Sequence, residues 1–466
     1  MTLYPWYWRS QPLKKRTGSD IFKNLFLQDN SIATLLESPF PTIADHPQLC
    51  RYSICAGKPR IINGKQSIWT PCVGEIFPCL DQLLNNFTNY ENPSFIPENL
   101  PFTGGYLGWL GYDLAWEIEN LPNLNSDSLP FPIAYWYEPE SFAILDHQEQ
   151  QLWLASTTEK KLDNLEKKLN SFSPIISNIS EEIFKEKIIF LTNQENYENN
   201  VIKAKKYIKR GDIFQTNLSL RFKTTTSLKN WQIYQNLHQI NPSPFASYWQ
   251  TSWGTMISCS PERLIKKQGN NIETRPIAGT IARGKNKELD LKLEQELLAN
   301  IKEQAEHIML VDLERNDLGK VCNWGTVEVD ELLTIERYSH VMHLVSNVKG
   351  TINSKYNIID LIKAVFPGGT ITGCPKVRCM EIIEELEPVK RNLFYGSCGY
   401  LDHRGNIDLN ILIRTLLIPS LKTETQFTEV YGQVGAGIVA DSDPQKEWIE
   451  SLNKAQAQLN ALFKVY

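Results

Sequence analysis

Apolar and polar positions change their period along this chain, and those changes mark its elements. The first ~160 residues alternate short apolar runs with Pro, Asn and Gly, which predicts a β-rich region. The charged stretch from Glu159 to Lys168 reads as a helix. The polar run from Asn170 to Glu186, rich in Ser and Asn, reads as a linker. From Tyr197 the pattern becomes a helix to Arg210, strands to Ser260, then helices and strands to the end. This predicts three parts: a β-rich domain at 1–165, a linker at 166–190 and a mixed domain at 191–466. The pattern by itself defines no more than a mixed α and β fold.

Two helices can be phased. Apolar residues at 289, 293, 297, 301, 305 and 308 form one stripe, with Glu303 and Glu306 on the opposite side. The last helix opens with Asp443 as N-cap and Pro444 in its first turn. Its stripe is Trp448, Leu452, Ala455, Leu459 and Leu462, flanked by Glu447 and Glu450. Each carboxylate pair is three residues apart and reads either as a solvated face or as one wall of a cleft.

Composition narrows the classes. A chain of 466 residues exceeds one simple core. The net charge of −5 argues against nucleic acid or an anionic membrane surface as partner. No apolar run approaches ~18 residues, so no membrane span is expected. Nine scattered Cys read as reduced thiols, which points to the cytoplasm, and none has zinc-ligand spacing. Gly435–Ala440 fits a dinucleotide fingerprint, yet Asp441 and Asp443 follow where pyrophosphate would sit. Gly368–Gly373 has phosphate-loop glycine spacing, but Cys374 and Pro375 replace the required Lys and Ser/Thr. The glycines of Pro101–Gly111 read as a tight structural crossing, because no such Lys follows them either.

Candidate chemistry collects in five ordered segments. They are Gly211–Phe222 (GDIFQTNLSLRF); Ser258–Arg263 (SCSPER) with Arg275–Thr280 (RPIAGT); Ala305–Gly319 (AEHIMLVDLERNDLG); Phe366–Arg378 (FPGGTITGCPKVR); and Gly432–Pro444 (GQVGAGIVADSDP). Arg414 is a charge inside a strand-like apolar run, costly to bury unless an anion meets it. Together the segments resemble the chorismate-utilising enzyme family, strongly from about 200 to 466 and more weakly before.

The resemblance implies an α+β fold of two stacked, mostly antiparallel β-sheets flanked by helices. It also implies Mg²⁺, a hard cation that takes carboxylate oxygens, held by Glu306 and Glu450 with Glu303 and Glu447 nearby. Glu262 matches the general acid that protonates the leaving ring hydroxyl, and His343 matches a histidine beside it. Tyr395, Arg414 and Lys454 match positions around the substrate's carboxylates. Gly435, Ala436 and Gly437 would offer backbone N–H groups, and Thr372 and Gly373 precede a helix start that favours an anion.

Gln215 stands where water-using members carry a Lys base, so ammonia is the implied nucleophile. No glutaminase motif is visible, which implies a separate glutamine amidotransferase subunit or free ammonium. Ala278, beside Thr280, is the residue that anthranilate synthases usually have, where many aminodeoxychorismate synthases carry Lys. Asn217–Ser219, Pro244–Tyr248, Gly368–Gly373, Tyr395–Tyr400 and Asp408–Ile411 instead look like the aminodeoxychorismate branch, and they decide the expectation. Leu36, Glu37, Ser38, Tyr52 and Ser53 resemble the tryptophan pocket shared by both branches. A tryptophan-binding regulatory subunit without activity is the contrasting reading; the intact set Glu262, Glu306, Arg414 and Glu450 argues against it.

Overall fold

The computed structural model describes residues 6–28, 31–40, 47–86, 95–170, 187–338, 341–420 and 427–463. Two large sheets dominate, one of 12 strands and one of 10 among the described residues. The first runs, in spatial order, from Tyr7–Pro12 through Gln151–Ser156, Ser141–Asp146, Tyr52–Ala56, Ala33–Glu37, Phe245–Gln250, Gly254–Ser260, Thr415–Pro419, Thr428–Ile438 and Gln215–Thr226 to Ile189–Phe190, with Gly373–Cys374 as a twelfth strand beside Gln215–Thr226. The second centres on Val341–Thr351, Asn271–Arg275, Arg263–Gln268, Ile407–Asn410, Ser397–Asp402 and Gly105–Leu110. The pairings that build both sheets are antiparallel.

Period-two alternation explains the layering. In Gly254–Ser260 every residue is buried, because successive side chains enter opposite cores. Met256 joins the core between the sheets, whereas Ile257 and Cys259 join the core beneath the outer helices. Trp109 of the second sheet meets Trp249 of the first edge-on at 5.6 Å, so the two sheets pack face to face. The helices Gln194–Arg210, Asn230–Ile240 and Pro444–Phe463 cover the other face of the first sheet. Stacked antiparallel sheets with outer helices are therefore the observed architecture.

The Pro101–Gly111 segment is the tight crossing its glycines suggest. A Cβ on Gly105, whose φ is +130°, would lie 2.2 Å from the Leu401 carbonyl of the paired strand.

The expected boundary at 166–190 does not divide the sheets. Ala33–Glu37 pairs with Phe245–Gln250, and Gly105–Leu110 with Ser397–Asp402, so both sheets draw on both ends of the chain. Residues 166–170 continue the helix Glu159–Asn170, and Ile189–Phe190 already pairs with Gln215–Thr226. The rest of the expected linker, 171–186, lies outside the described residues.

The stripe from 289 to 308 also breaks. Asn300 ends one helix, Lys287–Ala299, and starts the next, Ile301–Gly319, where its side chain accepts hydrogen bonds from Lys302 N and Glu303 N. The helical phase resets there, which leaves Leu289 and Ile301 exposed. The last helix keeps its phase: Asp443 caps it, and Trp448, Ala455 and Leu462 are buried. Among the described residues no helix is long and apolar enough to cross a membrane.

Because each sheet needs strands from both ends, residues 1–165 expressed alone are expected to lack cooperative structure. Thermal melting followed by circular dichroism checks this; a sharp two-state transition in that fragment would contradict the shared-sheet account.

Candidate active site

The Gln215–Thr226 and Thr428–Ile438 strands pair antiparallel from Thr216↔Ile438 to Thr226↔Thr428. At one end of this ladder lies a cavity of about 1100 Å³. The strand Ile277–Ala282 and the helices Ile301–Gly319 and Pro444–Phe463 supply further walls. Glu262, His343, Ala278, Thr280 and Gln215 all line it, as do Tyr395, Arg414, Gly435, Gly437 and Lys454. The four carboxylates Glu303, Glu306, Glu447 and Glu450 line the same space. The polar side of the broken helical stripe thus faces inward, onto the cavity.

Glu262 is held from its backbone. Its N–H donates to Ser260 Oγ at 3.2 Å, its carbonyl accepts from Ile411 N at 3.0 Å, and Ser260 Oγ donates to Ile411 O at 2.6 Å. The carboxyl is buried, and Oε1 has no hydrogen-bond partner within 3.5 Å among the described residues. Burial, with a further contribution from Glu314, pushes its pKa up to about 8, so the group is protonated at neutral pH. A protonated carboxyl facing a cavity is a proton donor in waiting.

His343 lies opposite Thr280 in the paired strands, and its Nδ1 shares a 2.8 Å hydrogen bond with Thr280 Oγ1. Burial first, and Arg414 second, lower its pKa to about 3, so the imidazole stays neutral. Its Nε2 is buried without a partner. Arg414 donates from Nη1 to Asn241 Oδ1 at 3.1 Å and has no ion-pair partner among the described residues. Burial pulls its pKa down. Arg414 and Tyr395 both adopt left-handed backbone, with φ of +51° and +64°, which costs about 1–3 kcal/mol each and concentrates at functional sites. The Tyr395 hydroxyl is a third buried polar group with no hydrogen-bond partner within 3.5 Å among the described residues. A cationic fork and orphaned donors around one cavity suit a small carboxylate-bearing anion.

The carboxylates carry their own cations. Lys302 Nζ lies 3.5 Å from Glu306 Oε1, and Lys454 Nζ lies 2.8 Å from Glu450 Oε1. Lys454 also donates to Gly435 O at 3.1 Å. Glu306 Oε1 is buried without a hydrogen bond, and burial raises the pKa of both Glu306 and Glu447. Hard oxygens from two helices, among them a buried Glu306 Oε1 held only by a long ion pair to Lys302, fit Mg²⁺ in their chemistry. No three metal-type side chains form a ready cluster among the described residues, so a cation would have to draw them together.

Three expected residues do not reach the cavity. Ala436 alternates away from Gly435 and Gly437 and is buried in the core under the helices. Thr372 is fully buried; its Oγ1 donates to Gly368 O at 2.8 Å, and its carbonyl accepts from Asn217 N at 2.8 Å. Gly373 pairs with Thr216, and a Cβ there would meet Gln215 O at 2.2 Å. Both shape the turn that places Thr370 and Ile371, which do line the cavity. Asn217, Gln433 and Lys302 line it too and were not anticipated. The signal existed: Asn217 and Gln433 lie two residues from Gln215 and Gly435, and Lys302 one turn before Glu306.

A second cavity, about 150 Å³, is lined by Leu36, Glu37, Ser38 and Tyr52. Ser53 lies behind it, accepting from Ser38 N at 3.1 Å and bonded to His147 Nε2 at 2.9 Å. The Glu37 carboxylate is already taken by Ser19 N, Ser19 Oγ and Tyr234 OH at 2.6–2.7 Å. Pockets that enclose small molecules usually span about 300–1,000 Å³, so this one is small.

The chain matches the chorismate binding enzyme family over residues 44–460 and belongs to it. It is 62% identical to the anthranilate synthase component I-like protein of Synechocystis sp., across 99% of this chain and 93% of that one. It is 42% identical to aminodeoxychorismate synthase component 1 of Bacillus subtilis, across 88% and 89%. The crystal structure of anthranilate synthase component I from Streptococcus pneumoniae superposes with a TM-score of 0.75 at 29% identity, covering 95% of this chain and 99% of that one. The protein is therefore a chorismate-utilising enzyme, with relatives named for two different reactions.

The protonation states are directly measurable. Difference infrared titration should show a carboxyl C=O band present at pH 7, lost as pH rises through about 8, and missing from E262Q. Nitrogen NMR should show His343 neutral from pH 5 upward. A Glu262 carboxylate already ionised at pH 6 would contradict the site as described.

Proposed function

We propose that this chain catalyses Mg²⁺-dependent amination of chorismate to 4-amino-4-deoxychorismate, a precursor of 4-aminobenzoate and folate. Ammonia comes from a separate glutamine amidotransferase subunit. The observation that carries the reading is a buried Glu262 carboxyl sharing one cavity with an Arg414 that has no ion-pair partner among the described residues and a Gln215 whose amide cannot act as a base.

The steps follow from the residues. Arg414 takes a substrate carboxylate bidentately, which a guanidinium fork favours over a point charge. The N–H groups of Gly435 and Gly437 and the Tyr395 hydroxyl complete the anion's surroundings. Glu262 gives its proton to the ring hydroxyl, the C–O bond breaks, and water leaves. The lone pair of ammonia forms the C–N bond. One proton of the resulting ammonium restores Glu262, so chorismate and ammonia become aminodeoxychorismate and water. Neutral His343 accepts a hydrogen bond at Nε2 from the leaving group, while Thr280 fixes its ring. Such proton transfer contributes typically 10²–10⁴-fold in rate.

Glu306 and Glu450 would hold the cation, with Glu303 and Glu447 beside them. When bound, Mg²⁺ supplies charge neutralisation and orientation at the ring carboxylate. Lys302 and Lys454 must give up their carboxylates for it to bind.

Anthranilate formation is the second reading, and Ala278 favours it. The residue lines the cavity and has no amine to form a covalent adduct, so ammonia must attack directly in either reaction. Chorismate, Mg²⁺ and ammonium should give no fluorescent anthranilate, and adding an aminodeoxychorismate lyase should release 4-aminobenzoate. Anthranilate and pyruvate as main products would overturn the preferred reading.

For the metal, E450Q is expected to weaken Mg²⁺ binding at least tenfold by calorimetry, about 1.4 kcal/mol. Unchanged affinity and rate in E450Q would remove Glu450 from the metal set. Tryptophan is the remaining expected ligand, at the second cavity.

A further inference from the structure

Arg391 lies outside the cavity wall, and nothing in the proposed chemistry uses it. Its side chain is 1% exposed, yet it touches the wall at several points. Nη1 donates to Ile371 O at 2.8 Å, and Nη2 donates to Asn217 O at 2.8 Å. The guanidinium lies 4.7 Å from the ring centre of Tyr395 and 4.7 Å from that of Tyr112. Ile371, Asn217 and Tyr395 all line the cavity.

Glu387 anchors this arginine and extends its reach. Its carboxylate accepts from Arg391 Nε at 2.9 Å and Nη2 at 2.6 Å. The same carboxylate accepts from Ser219 N at 2.8 Å and Ser219 Oγ at 2.7 Å. Ser219 Oγ in turn accepts from Gln433 Nε2 at 2.7 Å, and Gln433 lines the cavity. One buried ion pair therefore ties together both central strands, the Thr370–Ile371 turn and Tyr395.

The tie matters most at Tyr395. Its backbone sits at φ +64°, a conformation that persists only when the surroundings over-determine it. Its hydroxyl is buried and has no hydrogen-bond partner within 3.5 Å among the described residues. Stacking by a planar guanidinium restrains the ring without using that hydroxyl. Glu387 takes two of the guanidinium's N–H donors, and the two that go to backbone carbonyls go to Asn217 and Ile371, both wall residues.

We propose that Arg391 is a positioning residue that fixes Tyr395, the Asn217 carbonyl and the Thr370–Ile371 turn for recognition of the substrate's carboxylates. This rests on the amination reading for the identity of the substrate. Arg391 makes no contact with substrate and acts through the residues it holds. Lys at this position keeps the charge and loses both the fork and the stacked plane.

The test compares R391K, Y395F and the double variant in the full-length chain. R391K is expected to stay folded by circular dichroism and to raise KM for chorismate tenfold or more. Its kcat should change less than threefold, the signature of lost ground-state binding. Mg²⁺ affinity by calorimetry should be unchanged, because the carboxylates belong to other elements. The effects of R391K and Y395F should be less than additive, since one acts through the other. Additive effects, a fall in kcat alone, or wild-type KM in R391K would overturn the proposal. If R391K does not fold, E387Q provides the same comparison with the arginine kept. If the wild-type chain fails to turn over chorismate, the amination reading fails separately. The positioning claim is then read from the fluorine NMR signal of 3-fluorotyrosine at Tyr395: a shift in R391K supports it, and an unmoved signal overturns it.

Discussion

The site depends on one antiparallel ladder. Eleven residue pairs join Gln215–Thr226 to Thr428–Ile438, and the pleat decides which side chains meet the cavity. Asn217, Gly435 and Gly437 face it, whereas Leu218 and Ala436 face the helices. A slip of one residue would exchange the two sets and put apolar groups into the cleft. A Cβ at Gly437 would come within 2.4 Å of Gln215 Nε2, so a larger residue there would push the Gln215 side chain aside. The same ladder receives Lys454 from the last helix, at Gly435 O, and Glu387 with Arg391 from below, at Ser219 and Asn217.

Around that ladder the cavity holds charge out of balance. Burial favours a protonated Glu262 and a neutral His343, and Arg414 has no carboxylate partner among the described residues. Across from them four carboxylates are only partly neutralised by Lys302 and Lys454. A small dianion on the arginine side and a divalent cation on the carboxylate side would complete both halves. Burial without pairing costs free energy in the empty chain, and the left-handed backbones of Tyr395 and Arg414 add to that cost. The surrounding sheets, with Trp109 and Trp249 packed between them, offset it elsewhere.

Sequence pattern reached the chemistry further than the architecture. Glu262, His343, Arg414 and the four glutamates sit in segments whose residue types match the proposed reaction, and all of them line one cavity. The last helix was legible because its cap and stripe are local. The sharing of both sheets was not, because pairing between residues 33–37 and 245–250 leaves no local period. Asn300 hid a helix break inside an apparently continuous stripe, since a capping side chain reads like any polar residue. Thr372, Gly373 and Ala436 belong to the right segments but to the wrong face or the turn behind it, which motif membership does not specify. Arg391 lay beyond reach for a similar reason: its importance comes from the carbonyls it meets, and a sequence does not show carbonyls converging.

The central claim is that this cleft replaces a ring hydroxyl with ammonia and not with water. Single-turnover incubation of the chain with chorismate, Mg²⁺ and ¹⁵N-ammonium in ¹⁸O-water, followed by mass spectrometry, tests it most directly. The account predicts a product carrying ¹⁵N and no ¹⁸O. A product carrying ¹⁸O and no ¹⁵N would contradict it, because it would mean that water is activated at Gln215 after all.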